Sequence, residues 1–190
     1  MKSVMSIVLA ACFLVAAPGA ASAAECRSSF LPVDLQLPLP LPQLAWLVDP
    51  LQPRLLGERV FVRMCLPDGP TPETVLLLLH GITYTHAYWD LVDPTGGTDR
   101  YSFVASATGA GYATLAIDRI GIGQSSHPLS ALIDMNQNVF VVHQVVQALR
   151  DGDISGPDGD VDFSKVVLVG HSYGSMISWF EASRFQDVDG

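Results

Sequence analysis

The chain has 190 residues, a length that fits one domain, and its 49% hydrophobic and 15% charged residues supply a packed core and exclude a disordered chain. Ten Lys and Arg against nineteen Asp and Glu leave a net charge of −9. No basic cluster of the kind a nucleic-acid-binding face needs is present in the sequence.

The first segment reads as an address. Lys2 supplies a positive start, Val4 to Ala17 is an apolar run ending at Pro18-Gly19, and Ala21-Ser22-Ala23 is a small-x-small cleavage site. Residues 1–23 are therefore expected to be a signal peptide, cleaved near Ala23, with the mature protein secreted or periplasmic and without a membrane span. An uncleaved anchor is the alternative. Cys12 leaves with the leader. Cys26 and Cys65 remain, either as one disulfide or as two free thiols.

Residues 24–57 read as a Pro-rich arm. Pro32, Pro38, Pro40, Pro42, Pro50 and Pro53 exclude a helix or a central strand, and Leu37 to Pro42 alternates Leu with Pro as an extended polyproline-type segment does. Arg59 to Leu66 is a predicted strand, and Pro67 to Pro72 a turn. Val75 to Leu79 is a run of apolar residues that suits a strand buried on both faces. Arg100 to Thr108 is a predicted helix, stopped by Gly109 and Gly111. Tyr112 to Ile117 is a second buried strand, and Gly121 to Pro128 a loop. Asp134 to Arg150 is a helix whose Val139, Val142, Val146 and Leu149 make one apolar stripe. Asp151 to Asp160 is acidic and Gly-rich. It lacks the spacing and closing Glu of a calcium loop, so it reads as a solvated turn. Lys165 to Val169 is a third buried strand, and Gly174 to Phe185 a helix. Strands alternating with helices predict an α/β domain over residues 58–190, with a mostly parallel sheet and flanking helices.

Three loops follow the buried strands, and they carry the chemistry. Gly170-His171-Ser172-Tyr173-Gly174 lies between a strand and a helix. Gly-x-Ser-x-Gly alone is a weak signal; in that context it is a nucleophile elbow. The turn must be tight and its backbone strained, and Gly170 and Gly174 remove the side chains that would collide across it. An ordinary strand–helix turn with a buried Ser is the competing reading. His80-Gly81-Ile82 follows Leu79, where a loop at the carboxyl end of a parallel strand lines the crevice. His80 reads as support for the site rather than as a base. Asp118-Arg119-Ile120-Gly121-Ile122-Gly123-Gln124-Ser125 follows the next strand. A dinucleotide fingerprint would need Gly where Ser126 stands, so Asp118 and Arg119 are expected to brace this loop against the site instead.

With those three pieces in this order, the chain resembles the α/β-hydrolase fold from about Glu58 to Gly190. The resemblance implies a serine nucleophile at Ser172 and an oxyanion hole from the backbone N–H groups of Ile82 and Tyr173. It also implies a carbonyl substrate, most often a carboxylic ester, small or lipid-like, taken through an acyl-enzyme. It implies no cofactor, and no metal is assigned.

One departure stands out. The family orders its triad as Ser, acid, His, yet no His follows Ser172. Glu181, Asp187 and Asp189 do follow it, but not after a later strand. His86, His127 and His143 are the upstream candidates for a base. The expectation is a domain truncated after the elbow helix, with base and acid beyond residue 190 and an unprotected edge on the strand that carries Ser172. A non-catalytic binding domain is one alternative; a lyase, perhydrolase or acyltransferase with the same triad is another.

Overall fold

A computed structural model describes residues 24–37, 53–96 and 99–190. The leader and most of the Leu-Pro segment (residues 38–52) lie outside the described residues. In chain order the elements are β1 (Glu25–Gln36), β2 (Arg54–Leu66), β3 (Thr74–Leu79), α1 (Phe103–Gly109), β4 (Ala113–Ile117), α2 (Met135–Asp151), β5 (Ile154–Gly156), β6 (Gly159–Val161), β7 (Lys165–Gly170) and α3 (Tyr173–Phe185). Five strands form one sheet in the order β1-β2-β4-β3-β7. β3 is parallel to both β4 and β7, while β1–β2 and β2–β4 are antiparallel. Among the described residues no helix is long and apolar enough to cross a membrane.

The apolar runs are all strands, but only β3 and β4 are covered on both faces. β7, expected to be buried, is the sheet edge and buries only Val166. A period of two divides the side chains between two cores. Val75, Leu77 and Leu79 of β3, Leu115 and Ile117 of β4, and Val60, Val62 and Met64 of β2 face α2 and Ile177 of α3. Leu78, Ala116 and Cys65, one residue out of phase, join Trp89 and Val104 on the opposite side. The stripe of α2 is wider than its periodicity indicated: Val141 and Val145 are buried beside Val142 and Val146. Asp134 caps this helix by accepting from the Gln137 N–H, and Gly152, at φ 79°, ends it in the left-handed conformation.

Residues 24–57 are not all arm. Residues 25–36 are the outer strand of the sheet, with Leu31, Val33 and Leu35 pointing into the core and Pro32 between them. A proline is tolerated there because an edge strand leaves one row of N–H groups unpaired. That edge is covered by two glutamines of α2. Gln144 accepts from the Asp34 N–H and donates to the Asp34 carbonyl, and Gln137 does the same for Gln36. Cys26 and Cys65 are cross-strand partners of β1 and β2 and form a disulfide. The acidic stretch after α2 is likewise more than a turn, because residues 154–161 form the β5–β6 hairpin. The other edge of the sheet, β7, is not bare: Asp189 donates its N–H to the Val166 carbonyl, and the Gly190 carbonyl accepts from Leu168.

Candidate functional site

β7 leads into Gly170 and His171, and α3 starts at Tyr173, so the chain reverses within two residues. Ser172 takes up the turn at φ 53°, ψ −117°. For a residue with a side chain this is a strained conformation, of the order of 1–3 kcal/mol. The Ser172 side chain is exposed and makes no capping hydrogen bond to the helix. Gly170 works as the sequence indicated: a Cβ there would lie 2.5 Å from the Ser175 nitrogen and 2.6 Å from the Gly174 carbonyl carbon, across the turn. Gly174 works differently. A Cβ there would lie 2.0 Å from the Leu79 carbonyl oxygen, so this glycine lets the helix start press on the end of β3 rather than on its own turn.

Next to the elbow sits the His80–Ile82 loop. His80 is fully buried. Its Nε2 accepts from the Arg119 N–H, and its Nδ1 donates to the Gly81 carbonyl at 2.7 Å. Both ring nitrogens are therefore occupied, and burial lowers its pKa to about 4. A neutral ring so held is a strut. Gly81 is needed for room, since a Cβ would come within 3.0 Å of the His171 Nδ1.

Arg119 ties the loops together. Its Nη2 donates to the carbonyls of Gly81 and Ile82 at 3.1 and 3.2 Å, its Nη1 donates to Asn138, and its guanidinium lies 4.9 Å over the Tyr173 ring. The Gly81 carbonyl is thus held inward by His80 and Arg119. Across a trans peptide the N–H points opposite to the C=O, so the Ile82 N–H faces away from them. Tyr173, as the first residue of α3, has an N–H without a helical acceptor.

Asp118 is buried behind this layer. Its Oδ1 accepts from the backbone and the Nδ1 of His86, each at 2.7 Å, and its Oδ2 accepts from the Gln124 N–H. Burial alone would raise its pKa, but these hydrogen bonds outweigh burial and hold the carboxyl below the usual range. Gly123 makes way for it: a Cβ there would be 2.1 Å from Oδ2.

None of the five histidines is positioned by these contacts as a partner of Ser172. His86 is tied to Asp118 and packs on Phe61 over the β4–β2 end of the sheet. β4 and β7 flank β3, which puts their ends about 10 Å apart. His127 is exposed and contacts the Gly123 carbonyl. His171 stacks on Tyr88. His143 lies on α2, stacked on Phe185 and 2.8 Å from Asp187. Of the aromatic residues after the His80–Ile82 loop, Trp89 is core, and Tyr84 and Tyr88 surround His171.

Two arrangements were not foreseen from sequence. One is the His86–Asp118 pair, whose members belong to different loops. The other is Glu181, fully buried beside Asp187, with burial first and the Asp187 carboxyl second pushing its pKa up to about 8. A signal for it existed: Gly174, Ile177 and Glu181 recur on one face of α3, which places a carboxyl in a core position.

Comparison with known proteins follows the same lines. Residues 76–189 match the profile described as "Alpha/beta hydrolase family". Epoxide hydrolase 3 of Xenopus tropicalis is 29% identical over 140 residues, a match that covers 70% of this chain and 32% of that protein. Among solved structures, the alpha/beta hydrolase GrgF from Penicillium sp. sh18 aligns with a TM-score of 0.53 at 16% identity, over 85% of this chain and 43% of that one. The thioesterase domain from the curacin biosynthetic pathway aligns at 0.50 and 20% identity, over 83% and 42%. The chain thus spans about a third of the curated relative it matches.

Proposed function

The chain belongs to the alpha/beta hydrolase family, and we propose that it is the part of an exported serine hydrolase that carries the nucleophile, Ser172, and the oxyanion hole. In this reading Ser172 attacks a substrate carbonyl. The N–H groups of Ile82 and Tyr173 hold the developing oxyanion, and a His and an acid outside this chain take and orient the proton. The observation that carries the reading is the backbone of Ser172 at φ 53°, ψ −117°. Strain at an exposed serine, in a turn that Gly170 leaves room for, supports a hydroxyl that must stand clear of the sheet.

The chemistry of the residue selects the substrate class. A serine oxygen that attacks a carboxylic ester gives an acyl-enzyme, itself an ester, and water releases it. The same oxygen opening an epoxide would leave an ether, which water does not cleave under mild conditions. A carbonyl substrate therefore fits Ser172 better than the epoxide named for the Xenopus relative. The disulfide Cys26–Cys65 and the leader-like residues 1–23 support export to an oxidising compartment.

A fluorophosphonate probe tests the reading. With the downstream coding sequence included, the protein should be labelled at Ser172, and Ser172→Ala should abolish the label. Equal labelling of the alanine variant overturns the assignment. A protein with its full reading frame that takes no label at all favours the non-catalytic binding domain. If it takes the label yet hydrolyses no ester, a lyase, perhydrolase or acyltransferase becomes the better reading.

A further inference from the structure

Far from Ser172, three elements bring a second set of ligating groups together. His143 lies on α2, Glu181 on α3 and Asp187 on the segment after α3. One ligand atom from each lies within 4.8 Å of the others. His143 Nδ1 is 2.8 Å from Asp187 Oδ2 and 3.9 Å from Glu181 Oε1. Glu181 has a side-chain exposure of 0%, and neither of its oxygens has a hydrogen-bond partner; Asp187 Oδ1 also has none.

A buried carboxyl without a donor is costly in any fold, and it persists only where a proton or a cation neutralises it. The neighbouring cation does not. Arg150 donates to the Asp187 carbonyl, to Ser164 and to the Asp189 carboxylate, and leaves Glu181 alone. The other groups around the cluster hold its members in place. Gln147 Nε2 donates to Asp187 Oδ2 at 2.7 Å, and the His143 ring stacks on Phe185 with centroids 3.7 Å apart. One imidazole nitrogen and two carboxylates thus lie within 4.8 Å of one another.

We propose that His143, Glu181 and Asp187 bind one divalent transition-metal ion, with zinc the best fit to the donor set. Zinc–nitrogen and zinc–oxygen bonds of about 2.0–2.2 Å place tetrahedral ligand atoms about 3.4 Å apart, close to the separations of 2.8 and 3.9 Å seen here. The two carboxylates balance the charge of the ion, and a mixed imidazole–carboxylate set suits zinc over calcium or magnesium. The partial exposure of His143 and Asp187, 24% and 18%, gives the ion a way in and leaves room for a water as fourth ligand. Glu181 stands nine residues along α3 from Ser172, about 13 Å, so the ion takes no part in chemistry there. Its effect is mechanical: it pins α3, whose first turn forms the elbow, to α2 and to the segment after α3. The site is independent of the reading of Ser172.

The test is a zinc titration of the purified full chain against a chromophoric chelator, with the metal-free protein prepared in EDTA. The expected result is one zinc per chain. Glu181→Gln and His143→Ala should each weaken binding roughly 100-fold or more, and His127→Ala, an exposed histidine elsewhere, should leave it unchanged. Cobalt should give a visible absorption band in the wild type and none in Glu181→Gln. In EDTA, Glu181→Gln should melt no lower than the wild type, which separates loss of a ligand from loss of the fold. Zinc should raise the melting temperature of the wild type and not that of Glu181→Gln. A wild type that takes up no zinc, or either variant binding it as tightly as the wild type, overturns the proposal and leaves Glu181 and Asp187 as a carboxyl pair sharing a proton.

Discussion

Gly174 rests so closely on Leu79 that a Cβ at 174 would sit 2.0 Å from the Leu79 carbonyl oxygen. The end of β3 and the start of α3 are in van der Waals contact with no side chain between them. Both are main chain, so neither can rotate away. Gly174→Ala is therefore expected to destabilise the domain by about 3 kcal/mol or more, where an ordinary surface substitution costs under about 0.5 kcal/mol. Denaturant midpoints of the two proteins measure it. A loss below about 1 kcal/mol would mean that the helix and strand are not held at this distance.

Ser172 predicts the opposite sign. Its conformation, φ 53° and ψ −117°, is one that glycine adopts freely. Ser172→Gly should raise stability by about 1 kcal/mol while removing all fluorophosphonate labelling. A thermal melt of the variant, run beside Ser172→Ala, checks this. Alanine keeps the strain and should show no gain.

Arg119 holds two carbonyls and an aromatic ring with one planar group. Lysine can replace the charge but not the fork or the stacking. In a protein that labels at Ser172, Arg119→Lys is expected to lower kcat about 10- to 100-fold with little change in KM, because the Ile82 N–H is no longer aimed. Steady-state kinetics on a simple ester separate the two constants. A change confined to KM would place Arg119 in substrate binding instead.

His80 sets a pH limit on the fold. Its pKa falls from 6.5 to about 4 through burial. The unfolded chain therefore binds a proton between those values that the folded chain refuses. Stability from this group is complete above pH 6.5, falls as pH drops from 6.5 to about 4, and is flat below. The total is about 3 kcal/mol. Urea midpoints of the wild type should fall more between about pH 7 and pH 4.5 than those of His80→Gln, which has no proton to refuse. Equal slopes would mean that His80 is not buried neutral.

The elbow, the three strands of the parallel part of the sheet and the long helix are legible in the sequence, though β7 is an edge strand rather than a buried one. Each depends on residues a few positions apart: Gly170 must clear Ser175, Val139 to Leu149 must share a helix face, and Val75 to Leu79 must fill both sides of one strand. Short-range sterics and periodicity hold before anything packs. The proline count, by contrast, concealed β1, because Leu31, Val33 and Leu35 become a strand only once β2 and the glutamines of α2 are beside them.

Tertiary structure alone decided that Gly174 answers to Leu79 and that Arg119 grips a carbonyl 38 positions earlier in the chain. It alone brought His143, Glu181 and Asp187 to one point. Contacts between residues so distant in sequence leave no spacing to read. They exist because two cores bury both faces of the sheet and press the loop ends together, and that packing is a property of the whole chain.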